Sequence, residues 1–465
     1  MKILLLHPPG VRDYNRGYYC SATTKSAYLF PPLDLLFVSG IVRDAGCEVV
    51  LIDAIADRLD PGRAIALAAA AAPSLVIGLS GIVSWEEDRR FFARLKARIP
   101  APIVVSGDVF LDAPADLMRR EPWIDGVLFD FTSPDIVRFL GGEREGIGTM
   151  VVRRGGGIAD CRGAAKRGVF TLPVPMHELF IGKRYRHPFT RSRPLASVLT
   201  SFGCPGRCFF CVADAIPFRH RPAADVAAEL DCLRSLGVRE ILFADFTFGV
   251  PRDDRRELLR IMIERGYGFD WSCFSRVDVV DEEMLALFTR AGCHTIIFGV
   301  ESGDDEVLAK YRKGFDTGRV RRVFRLCRTL GIDTVATFII AGPYDTLETC
   351  ERTIRFAREL PCDYASFNVA VPRPCTQYRR EAVARGIISE ADLDFDHSGG
   401  FVTRGSGLLS AAEIRRLRRR AVRSFYLRPC YILGRLCRVR SWHQLRELVA
   451  NGVDLVLKAA GMRAV

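Results

Sequence analysis

Three cysteines in the segment TSFGCPGRCFFC, residues 200–211, have the spacing in this chain that most clearly indicates chemistry. Cys204, Cys208 and Cys211 form a C-x3-C-x2-C array, and closely spaced thiolates bind zinc or an iron–sulfur cluster. Structural zinc usually takes four ligands, and His220 is the nearby candidate for a fourth. Three thiolates on one loop suit three irons of a [4Fe–4S] cube and leave the fourth iron open. The array therefore predicts such a cluster, with three unligated thiols as the alternative.

The elements that must position this array are strand and helix patterns that alternate between residues 195 and 372. The strand patterns are LASVLTSFG, REILFADF, DWSCFSR, HTIIFGVES, DTVATFIIAG and YASFNVAVP. Six β/α units in series with right-handed crossovers curl into most of a barrel, and barrels carry their functional groups at the C-terminal strand ends. The array follows the first strand at such an end. We therefore predict a partial (β/α)6 TIM-type barrel with its cofactor there.

Residues 1–140 show a second alternation of strands and helices. Its strands are KILLLHPP, EVVLIDA, SLVIGLS, PIVVSGD and GVLFDF. Short apolar strands separated by helices predict a doubly wound, Rossmann-like parallel sheet that is covered on both faces. Its ligand crevice is expected at the carboxyl ends of the strands, where His7, Asp53, Ser80 and Asp108 lie.

The whole chain is therefore predicted to be α/β, with four regions. Residues 1–140 form the Rossmann-like domain, 141–190 a linker with hairpin material, 191–400 the barrel, and 401–465 a helical region. The last region contains two helical patterns, LSAAEIRRLRRRAVRSFYL and SWHQLRELVANGVDLVLKAAG. We expect them to pack on the outside or the open edge of the barrel.

Composition indicates which partners and which cellular compartment to expect. The net charge of +12 is densest in EIRRLRRRAVRSFYLRP, which is typical of a solvated basic helix with an apolar stripe; nucleic acid or an anionic membrane surface is the alternative partner. The fifteen cysteines are mostly scattered, which favours free thiols in a reducing, cytoplasmic compartment. No apolar run approaches the ~18–20 residues of a transmembrane helix, so a soluble or peripheral protein is expected.

The cysteine array, with the aromatic Phe210 before its last cysteine, resembles the signature of the radical S-adenosylmethionine (SAM) superfamily over roughly residues 190–400. The resemblance implies that the fourth iron chelates the amino and carboxylate groups of SAM. The reduced cluster would then cleave the sulfonium to a 5′-deoxyadenosyl radical, which takes a hydrogen atom from the substrate. It also implies an electron donor such as flavodoxin or ferredoxin. The cofactors would carry this chemistry, and the protein would position them.

The same resemblance assigns SAM contacts to later strand ends, in addition to Phe210. Asp245 and Thr247 lie where the family's second strand approaches the methionine amino group, although a helix cap is the alternative for Asp245. Ser275 and Arg276 follow on the third strand. Arg276 could pair with the methionine carboxylate or form a surface salt bridge, for which Asp278 is adjacent.

The strongest secondary match is FGVESG, where Glu301 and Ser302 end an apolar strand that contacts the sulfonium or ribose in family members. An ionised glutamate buried there needs a partner. The segment TFIIAGPYDT resembles the adenine-binding fifth strand, with Ile340 to Gly342 on the base. Cys375 replaces a glycine of the family's sixth-strand segment, and a substrate-facing thiol is the less favoured interpretation there.

The first domain resembles that of the cobalamin-binding subclass in HPP, PPLDLLFVSGIVRDAGCEVVLIDA and VVSGD, and RRLRRRAVRSFYLRP resembles its C-terminal helix. The lower-ligand motif D-x-H-x-x-G is absent, because Trp85, Glu86 and Glu87 follow SLVIGLSGIVS. The resemblance implies cobalamin without a protein side chain on cobalt; a degenerate domain is the alternative. We interpret His7 as capping a neighbouring loop in preference to ligating cobalt.

The subclass implies cobalamin-dependent methylation of an unactivated carbon in a biosynthetic pathway. The substrate would be a small molecule, and the apolar, basic C-terminal region would suit an amphiphilic or anionic one. The first alternative is a radical SAM cyclase or rearrangement enzyme with a degenerate domain. The second is a cluster- or zinc-bearing RNA-binding module, which needs exposed aromatic residues among the basic ones. Phe425, Tyr426 and Tyr431 instead indicate an apolar stripe, so no nucleic acid is expected.

Overall fold

The computed structural model describes most of the chain, namely residues 1–17, 20–23, 28–143, 145–163, 167–187, 189–390, 392 and 406–437. These residues form an α/β structure, as the alternating patterns predict. The helix predicted from SWHQLRELVANGVDLVLKAAG, residues 441–461, lies outside the described residues.

The first part of the chain is built on a parallel sheet. The strands of this part of the chain are β1 (Lys2–His7), β2 (Tyr14–Asn15), β3 (Ala22–Thr23), β4 (Glu48–Asp53), β5 (Leu75–Leu79), β6 (Ile103–Ser106), β7 (Gly126–Leu128), β8 (Met150–Arg154), β9 (Gly157–Asp160) and β10 (Gly168–Val169). Its helices are α1 (Leu33–Asp44), α2 (Pro61–Ala71), α3 (Trp85–Lys96), α4 (Pro114–Arg120) and α5 (Asp135–Leu140). The first sheet has the order β4-β1-β5-β6-β7-β8-β9, which reverses between β1 and β5.

The start of the predicted linker is part of this first sheet. Strands β8 and β9 pair antiparallel with β7 and with each other and extend its edge. Met150, Val151 and Val152 are buried, so they add to the core beneath the sheet. Residues 150–160 are therefore not linker, because a hairpin with one apolar face can pair with an open strand where a tether cannot.

The second part of the chain is built on a six-stranded sheet. The strands of this part of the chain are β11 (Leu195–Val198), β12 (Ser201–Phe202), β13 (Arg219–His220), β14 (Glu240–Phe243), β15 (Asp270–Ser275), β16 (Cys293–Glu301), β17 (Asp333–Ile340) and β18 (Tyr364–Val369). Its helices are α6 (Ala223–Ser235), α7 (Arg252–Glu264), α8 (Glu282–Arg290), α9 (Asp305–Lys310), α10 (Thr317–Thr329), α11 (Leu347–Glu359), α12 (Gln377–Ala384), α13 (Ala411–Tyr426) and α14 (Pro429–Leu436). The order β11-β14-β15-β16-β17-β18 is parallel and follows the chain.

Local sequence explains where these helices begin and which face they bury. Asp316 begins α10 by accepting a hydrogen bond from the backbone N–H of Arg319. The buried face of α10 consists of Val320, Val323, Phe324 and Cys327, a spacing of three and four residues. This face packs on the sheet, and the arginines between its members stay at the surface.

The carboxyl ends of the two sheets face one another. Asp108 follows β6 in the first sheet and lies 3.4 Å from Arg373, which follows β18 in the second. Asp130 follows β7 and lies 2.5 Å from Arg219 in β13. The loops at both ligand-binding edges therefore meet in one region of the molecule.

The basic helix α13 covers the edge strand β18. Its buried residues are Ile414, Leu417, Ala421 and Phe425, the stripe expected from the sequence. The Tyr426 hydroxyl donates to the carbonyl oxygen of Ala365 at 2.6 Å and accepts from its N–H at 3.1 Å. Side chains of the helix thus satisfy backbone groups that an open edge strand would expose. Among the described helices, none has both the length and the apolar character needed to cross a membrane.

Candidate active site

The cysteine loop begins directly after β12 and owes its tight turn to Gly203. This glycine has φ +78°, and a Cβ there would lie 2.6 Å from the carbonyl oxygen of Pro217. A side chain fits neither that backbone conformation nor that space. The loop carries Cys204, Cys208 and Cys211 past residues that follow β14 and β15.

Hydrogen-bond donors surround the first two sulfurs. The Cys204 sulfur lies 3.3 Å from the backbone nitrogen of Gly206, which donates to it, and 3.3 Å from the Thr247 hydroxyl oxygen. The Arg276 guanidinium donates from Nη1 to the Cys208 sulfur at 3.3 Å. A thiolate that ligates iron accepts hydrogen bonds, and these contacts supply the donors.

The third sulfur, on Cys211, accepts from the backbone N–H of Ala213 at 3.4 Å. Burial, together with the neighbouring sulfurs of Cys208 and Cys204, raises the pKa of the Cys211 thiol to about 12. A thiolate there needs a strongly positive partner at neutral pH, and iron would supply it. The donor set therefore fits an iron–sulfur cluster.

The part of the chain that the structure describes contains no set of ligands arranged for zinc. No three Cys, His, Asp or Glu side chains there are arranged to hold a single metal ion. His220, the candidate fourth ligand, lies in β13 and stacks on Phe218 with ring centroids 6.3 Å apart. A cube does not need thiolates that converge on one ion, because each binds a separate iron.

Arg276 is directed toward the cysteine loop by Asp278. The guanidinium donates from Nε and Nη2 to the Asp278 carboxylate at 2.9 and 2.7 Å, and it also donates to the carbonyl oxygen of Lys313. Burial acts to lower the pKa of Arg276, but Asp278 and Cys208 outweigh it and raise that pKa. A Cβ on Gly206 would lie 2.8 Å from Nη1, so the glycine leaves room for the arginine.

Glu301 pairs with a buried lysine. Its Oε1 lies 3.2 Å from Lys313 Nζ, which supplies the partner that a buried glutamate requires. Glu301 has φ +71°, at an irregularity in the β16–β17 register. Burial acts to lower the pKa of Lys313, but the charges of Cys208 and Glu301 outweigh it and raise that pKa. The lysine is therefore an ammonium ion beside the cysteine loop.

Lys313 is the residue of this site that we did not predict from the sequence. It lies between α9 and α10 in the segment YRKGF, and one lysine among many basic residues is no signal. The requirement for a partner to Glu301 was the available clue. The sequence does not show which basic residue pairs with Glu301, because the pairing depends on how the loop after α9 folds.

Asp245 is held inside the protein. Its carboxylate accepts from the N–H and hydroxyl groups of Thr200, both at 2.8 Å, and from those of Ser201 at 2.5 and 3.0 Å. These four bonds hold the turn between β11 and β12 that leads into the cysteine loop. A contact with the SAM amino group stays a prediction for Asp245, whose oxygens here bind the turn.

Two predicted serines are also engaged within the protein. The Ser275 hydroxyl donates to the carbonyl oxygen of Phe248 at 2.7 Å. The Ser302 hydroxyl oxygen lies 3.2 Å from that of Thr353 in α11, and it accepts from the N–H of Asp304 at 3.2 Å. Both hydroxyls hold loops at the strand ends, and their contacts with SAM stay predictions.

The predicted adenine segment ends β17. Ile340 is fully buried, and the N–H of Gly342 donates to Asp345 at 2.8 Å. A Cβ on Gly342 would fall 1.6 Å from the Tyr311 hydroxyl oxygen, so a larger residue cannot occupy this position. Phe210 packs edge-on against the Tyr311 ring with centroids 5.3 Å apart. The structure thus connects the cysteine loop and this segment through one tyrosine.

Cys375 lies where the second sheet meets the first. Its N–H donates to Asp112 at 2.6 Å, and its sulfur lies 3.4 Å from the carbonyl oxygen of Leu111. Burial raises the pKa of this thiol to about 12. These contacts place Cys375 at a junction between the sheets. Because its pKa is raised, the side chain is a neutral thiol and not a reactive thiolate.

The loop after β1 fills the carboxyl end of the first sheet. Arg16 and Asp88 form a fully buried ion pair at 2.7 Å. Asp108 accepts from the N–H and hydroxyl of Ser21 at 2.7 and 3.0 Å and from the N–H of Ile82 at 3.0 Å. Arg16, Asp88 and Asp108 at this edge are therefore bonded to the chain itself.

His7 does not cap a loop through its ring. Its Nδ1 lies 3.0 Å from Asp53 Oδ1, while the Tyr185 hydroxyl donates to the other carboxylate oxygen at 2.5 Å. Burial acts to raise the pKa of Asp53, but His7 and the other donors lower it below its usual value. The ring's Nε2 is buried, and no described residue forms a hydrogen bond with it. The interpretation of His7 as a loop cap is wrong, because a carboxylate occupies the nitrogen that would cap.

Comparison with known proteins identifies the second part of the chain. Residues 198–357 match the family model described as the Radical SAM superfamily, and that span includes the three cysteines and Glu301. Residues 198–357 are therefore a radical SAM domain. The chain is a radical SAM enzyme, and its cofactors include a [4Fe–4S] cluster and SAM, which the cysteine loop fits.

Two curated relatives indicate the range of reactions near this radical SAM enzyme. An uncharacterized methyltransferase of Pyrococcus horikoshii is 28% identical over 445 residues, which cover 92% of this chain and 93% of the relative. The anaerobic magnesium-protoporphyrin IX monomethyl ester cyclase of Synechocystis is 28% identical over 73% of this chain and 68% of its own length.

Two solved structures share the fold of this radical SAM enzyme. The methyltransferase TsrM from Kitasatospora setae, solved with cobalamin and a [4Fe–4S] cluster, has a TM-score of 0.65 at 20% identity and covers 83% of this chain and 75% of its own. The cobalamin-dependent enzyme OxsB, solved with aqua-cobalamin, has a TM-score of 0.71 at 15% identity and covers 97% of this chain and 70% of its own. The shared fold spans both sheets of this chain.

Proposed function

We propose that this enzyme catalyses the cobalamin-dependent methylation of an unactivated carbon in a biosynthetic pathway. One observation carries the proposal: the carboxyl ends of the two sheets meet, with Asp108 beside Arg373 and Asp130 beside Arg219. A cofactor at the edge of the first sheet would therefore face the radical site of the second. The likeness to a methyltransferase over 92% of the chain supports methyl transfer in preference to other radical reactions.

The chain's own residues would prepare the radical site. Cys204, Cys208 and Cys211 would hold the cluster, with Thr247 fixing the first sulfur. Bound SAM supplies the 5′-deoxyadenosyl radical, and cobalamin supplies the methyl group. Phe210, Ile340 and Gly342 would form the wall for adenine and exclude water, since apolar packing surrounds them. Glu301 would meet the ribose or sulfonium, held in place by Lys313.

The edge of the first sheet would hold the corrinoid at the point where the strand order reverses, between β1 and β5. The Nε2 of His7 at the end of β1 has no hydrogen-bond partner within the described ranges, and it fits a further polar group there. Gly107 has φ +147°, and a Cβ there would lie 1.7 Å from the carbonyl oxygen of Ser80, so a glycine is required where the loops after β5 and β6 come together. These residues, not a D-x-H-x-x-G histidine, would line the site.

The proposal keeps the predicted division into residues 1–140, 141–190, 191–400 and 401–465, except that 150–160 extend the first sheet. The sequential parallel order of the second sheet supports a partial (β/α)6 barrel. A small amphiphilic or anionic substrate, a flavodoxin or ferredoxin as electron donor and a cytoplasmic location complete it. In the part of the chain that the structure describes, no cysteine forms a disulfide, which suits a reducing compartment.

The second candidate is a radical SAM cyclase or rearrangement enzyme with a degenerate first domain. The similarity to the Synechocystis cyclase over 73% of the chain favours it specifically. So does the first-sheet edge, where the chain's own loop already satisfies Asp88 and Asp108. In that reaction cobalamin would not be needed.

The deciding experiment is mass spectrometry of the products that the reduced, cluster-loaded protein forms from SAM. Protein made in cells supplied with hydroxocobalamin is expected to keep a corrinoid spectrum after gel filtration. It should form S-adenosylhomocysteine beside 5′-deoxyadenosine, and the control protein made without cobalamin should form 5′-deoxyadenosine alone. Loss of the corrinoid on the column, with 5′-deoxyadenosine as the sole product, would contradict methyl transfer and favour the cyclase candidate.

A further inference from the structure

Two buried cations lie beside the cysteine loop. Arg276 is 8% exposed and Lys313 is 3% exposed. The arginine donates directly to the Cys208 sulfur at 3.3 Å, and its Nη2 donates to the carbonyl oxygen of Lys313. The ammonium nitrogen of Lys313 lies 6.0 Å from the centroid of the Phe210 ring, which is part of the cysteine loop. Buried cations are costly unless opposite charges or hydrogen bonds compensate them. The cysteine loop beside them would present such an opposite charge when its sulfurs are thiolates.

The surrounding backbone is built to admit both cations. A Cβ on Gly206 would lie 2.8 Å from Arg276 Nη1 and 3.4 Å from the Cys204 sulfur. A Cβ on Gly299 would lie 2.6 Å from Glu301 Oε1 and 3.4 Å from Lys313 Nζ. A Cβ at Gly206 would displace Arg276, and a Cβ at Gly299 would displace Glu301, the partner of Lys313. Both glycines therefore leave room for the two ion pairs.

The acidic partners leave the positive charge of Arg276 directed at the cysteine loop. Asp278 binds the Nε and Nη2 side of the guanidinium, and Nη1 is left for Cys208. The Asp278 side chain is 31% exposed and that of Arg276 is 10% exposed. Water therefore screens the aspartate more than the arginine, and the pair presents a net positive field to the sulfur.

A three-thiolate cluster carries excess negative charge, and reduction adds one more electron to it. Nearby positive charge stabilises the reduced form more than the oxidised form, because the interaction grows with the charge of the cluster. We propose that Arg276 and Lys313 form a cationic flank of the cysteine loop that raises the reduction potential of the cluster. Asp278 and Glu301 orient the two cations. The electron comes from the external donor, and no bond forms or breaks in this step.

The test is a redox titration of the anaerobically reconstituted full chain, without SAM, with the reduced cluster measured by electron paramagnetic resonance. Arg276→Gln and Lys313→Gln are each expected to lower the ratio of reduced to oxidised cluster about tenfold at a fixed applied potential, which corresponds to about 59 mV for one electron. Asp278→Asn removes a negative charge and keeps both cations. It is therefore expected to shift the ratio in the opposite direction.

Matched variants separate charge from structure. Arg276→Lys and Lys313→Arg keep the charge and should stay within about threefold of the wild-type ratio. Arg265→Gln removes an exposed arginine that pairs with Asp231 on the surface, and it should leave the ratio unchanged. Iron content is measured for every variant.

Either of two results would overturn the proposal. The first is an unchanged ratio in Arg276→Gln and Lys313→Gln at full iron content. The second is a shift in Asp278→Asn that has the same sign as the shift in Arg276→Gln, since damage to the fold has no reason to follow the sign of the charge. If a glutamine variant holds no iron, Asp278→Asn decides alone, and an unchanged or lowered ratio contradicts the proposal.

Discussion

The carboxyl ends of the two sheets differ in what their charged groups bind. At the second sheet, Arg276 and the neighbouring N–H groups are directed at cysteine sulfurs, so their charge points toward a bound group. At the first sheet, Arg16 and Asp88 bind each other, and Asp108 binds the backbone of the loop after β1. Arg276 is thus directed at the cysteine sulfurs at one edge, whereas Arg16, Asp88 and Asp108 at the other edge are bound by the chain itself.

This difference indicates two kinds of cofactor site. A cluster is small and charged, so its site needs ligating atoms and compensating charge within a few ångströms. A corrinoid is large, and a site without a protein ligand to cobalt would hold it mainly through shape and backbone contacts. Residue motifs therefore reveal the first kind of site far better than the second.

The largest expected effect separates the two edges. Cys208→Ala removes a ligand and the partner of Arg276, so we expect loss of the cluster and of all SAM cleavage, while any corrinoid bound to the first sheet is retained. Iron analysis and 5′-deoxyadenosine formation measure the outcome. Cys375→Ala is the matched control, because its thiol lies in the junction and outside the array. Unchanged SAM cleavage in Cys208→Ala would break the comparison.

The next effect concerns the buried pair at the first sheet. Asp88→Asn leaves Arg16 as an uncompensated buried charge, which should lower the free energy of unfolding of this region by about 3–5 kcal/mol. Hydrogen exchange of residues 8–23 in rising urea measures it, while the iron content should stay constant. Arg89→Gln is the control, since its exposed pair with Glu86 contributes below about 1 kcal/mol. Equal effects of the two variants would show that the loop after β1 is not anchored as described.

The smallest effect concerns the junction between the edges. Since burial raises the pKa of the Cys375 thiol to about 12, its thiolate fraction at pH 8 is small. We expect iodoacetamide to modify it at least about a hundredfold more slowly than free cysteine, whose pKa is about 8.5. The rate should rise about tenfold with each pH unit, because the thiolate reacts. Peptide mass spectrometry follows the reaction, and the exposed Cys430 serves as the internal control. Rapid modification at pH 8 would favour a substrate-facing thiol.

Much of the second sheet could be predicted from local sequence patterns. The Gly-Cys-Pro-Gly segment, the helix start at Asp316 and the buried spacing in α10 each follow from short-range chemistry, and the family match covers that region. The sequence predicts a linker over residues 150–160, where the structure has a hairpin of the first sheet. The two differ because a two-strand pattern does not show which sheet it will join. Asp245 has the residue type of a SAM contact, but the turn that it binds is set by β11 and β12 coming together.

The sequence by itself determined the three-thiolate array, the α/β alternation and the need of Glu301 for a partner, because these depend on residue type and on neighbours along the chain. Only the tertiary structure decided that Lys313 is that partner, that Arg276 binds Cys208, and that the two sheet edges meet at Asp108 and Arg373. These pairs are separated by 12, 68 and 265 residues. Contacts over such distances arise from packing, and a charged side chain takes whichever partner the fold brings within reach.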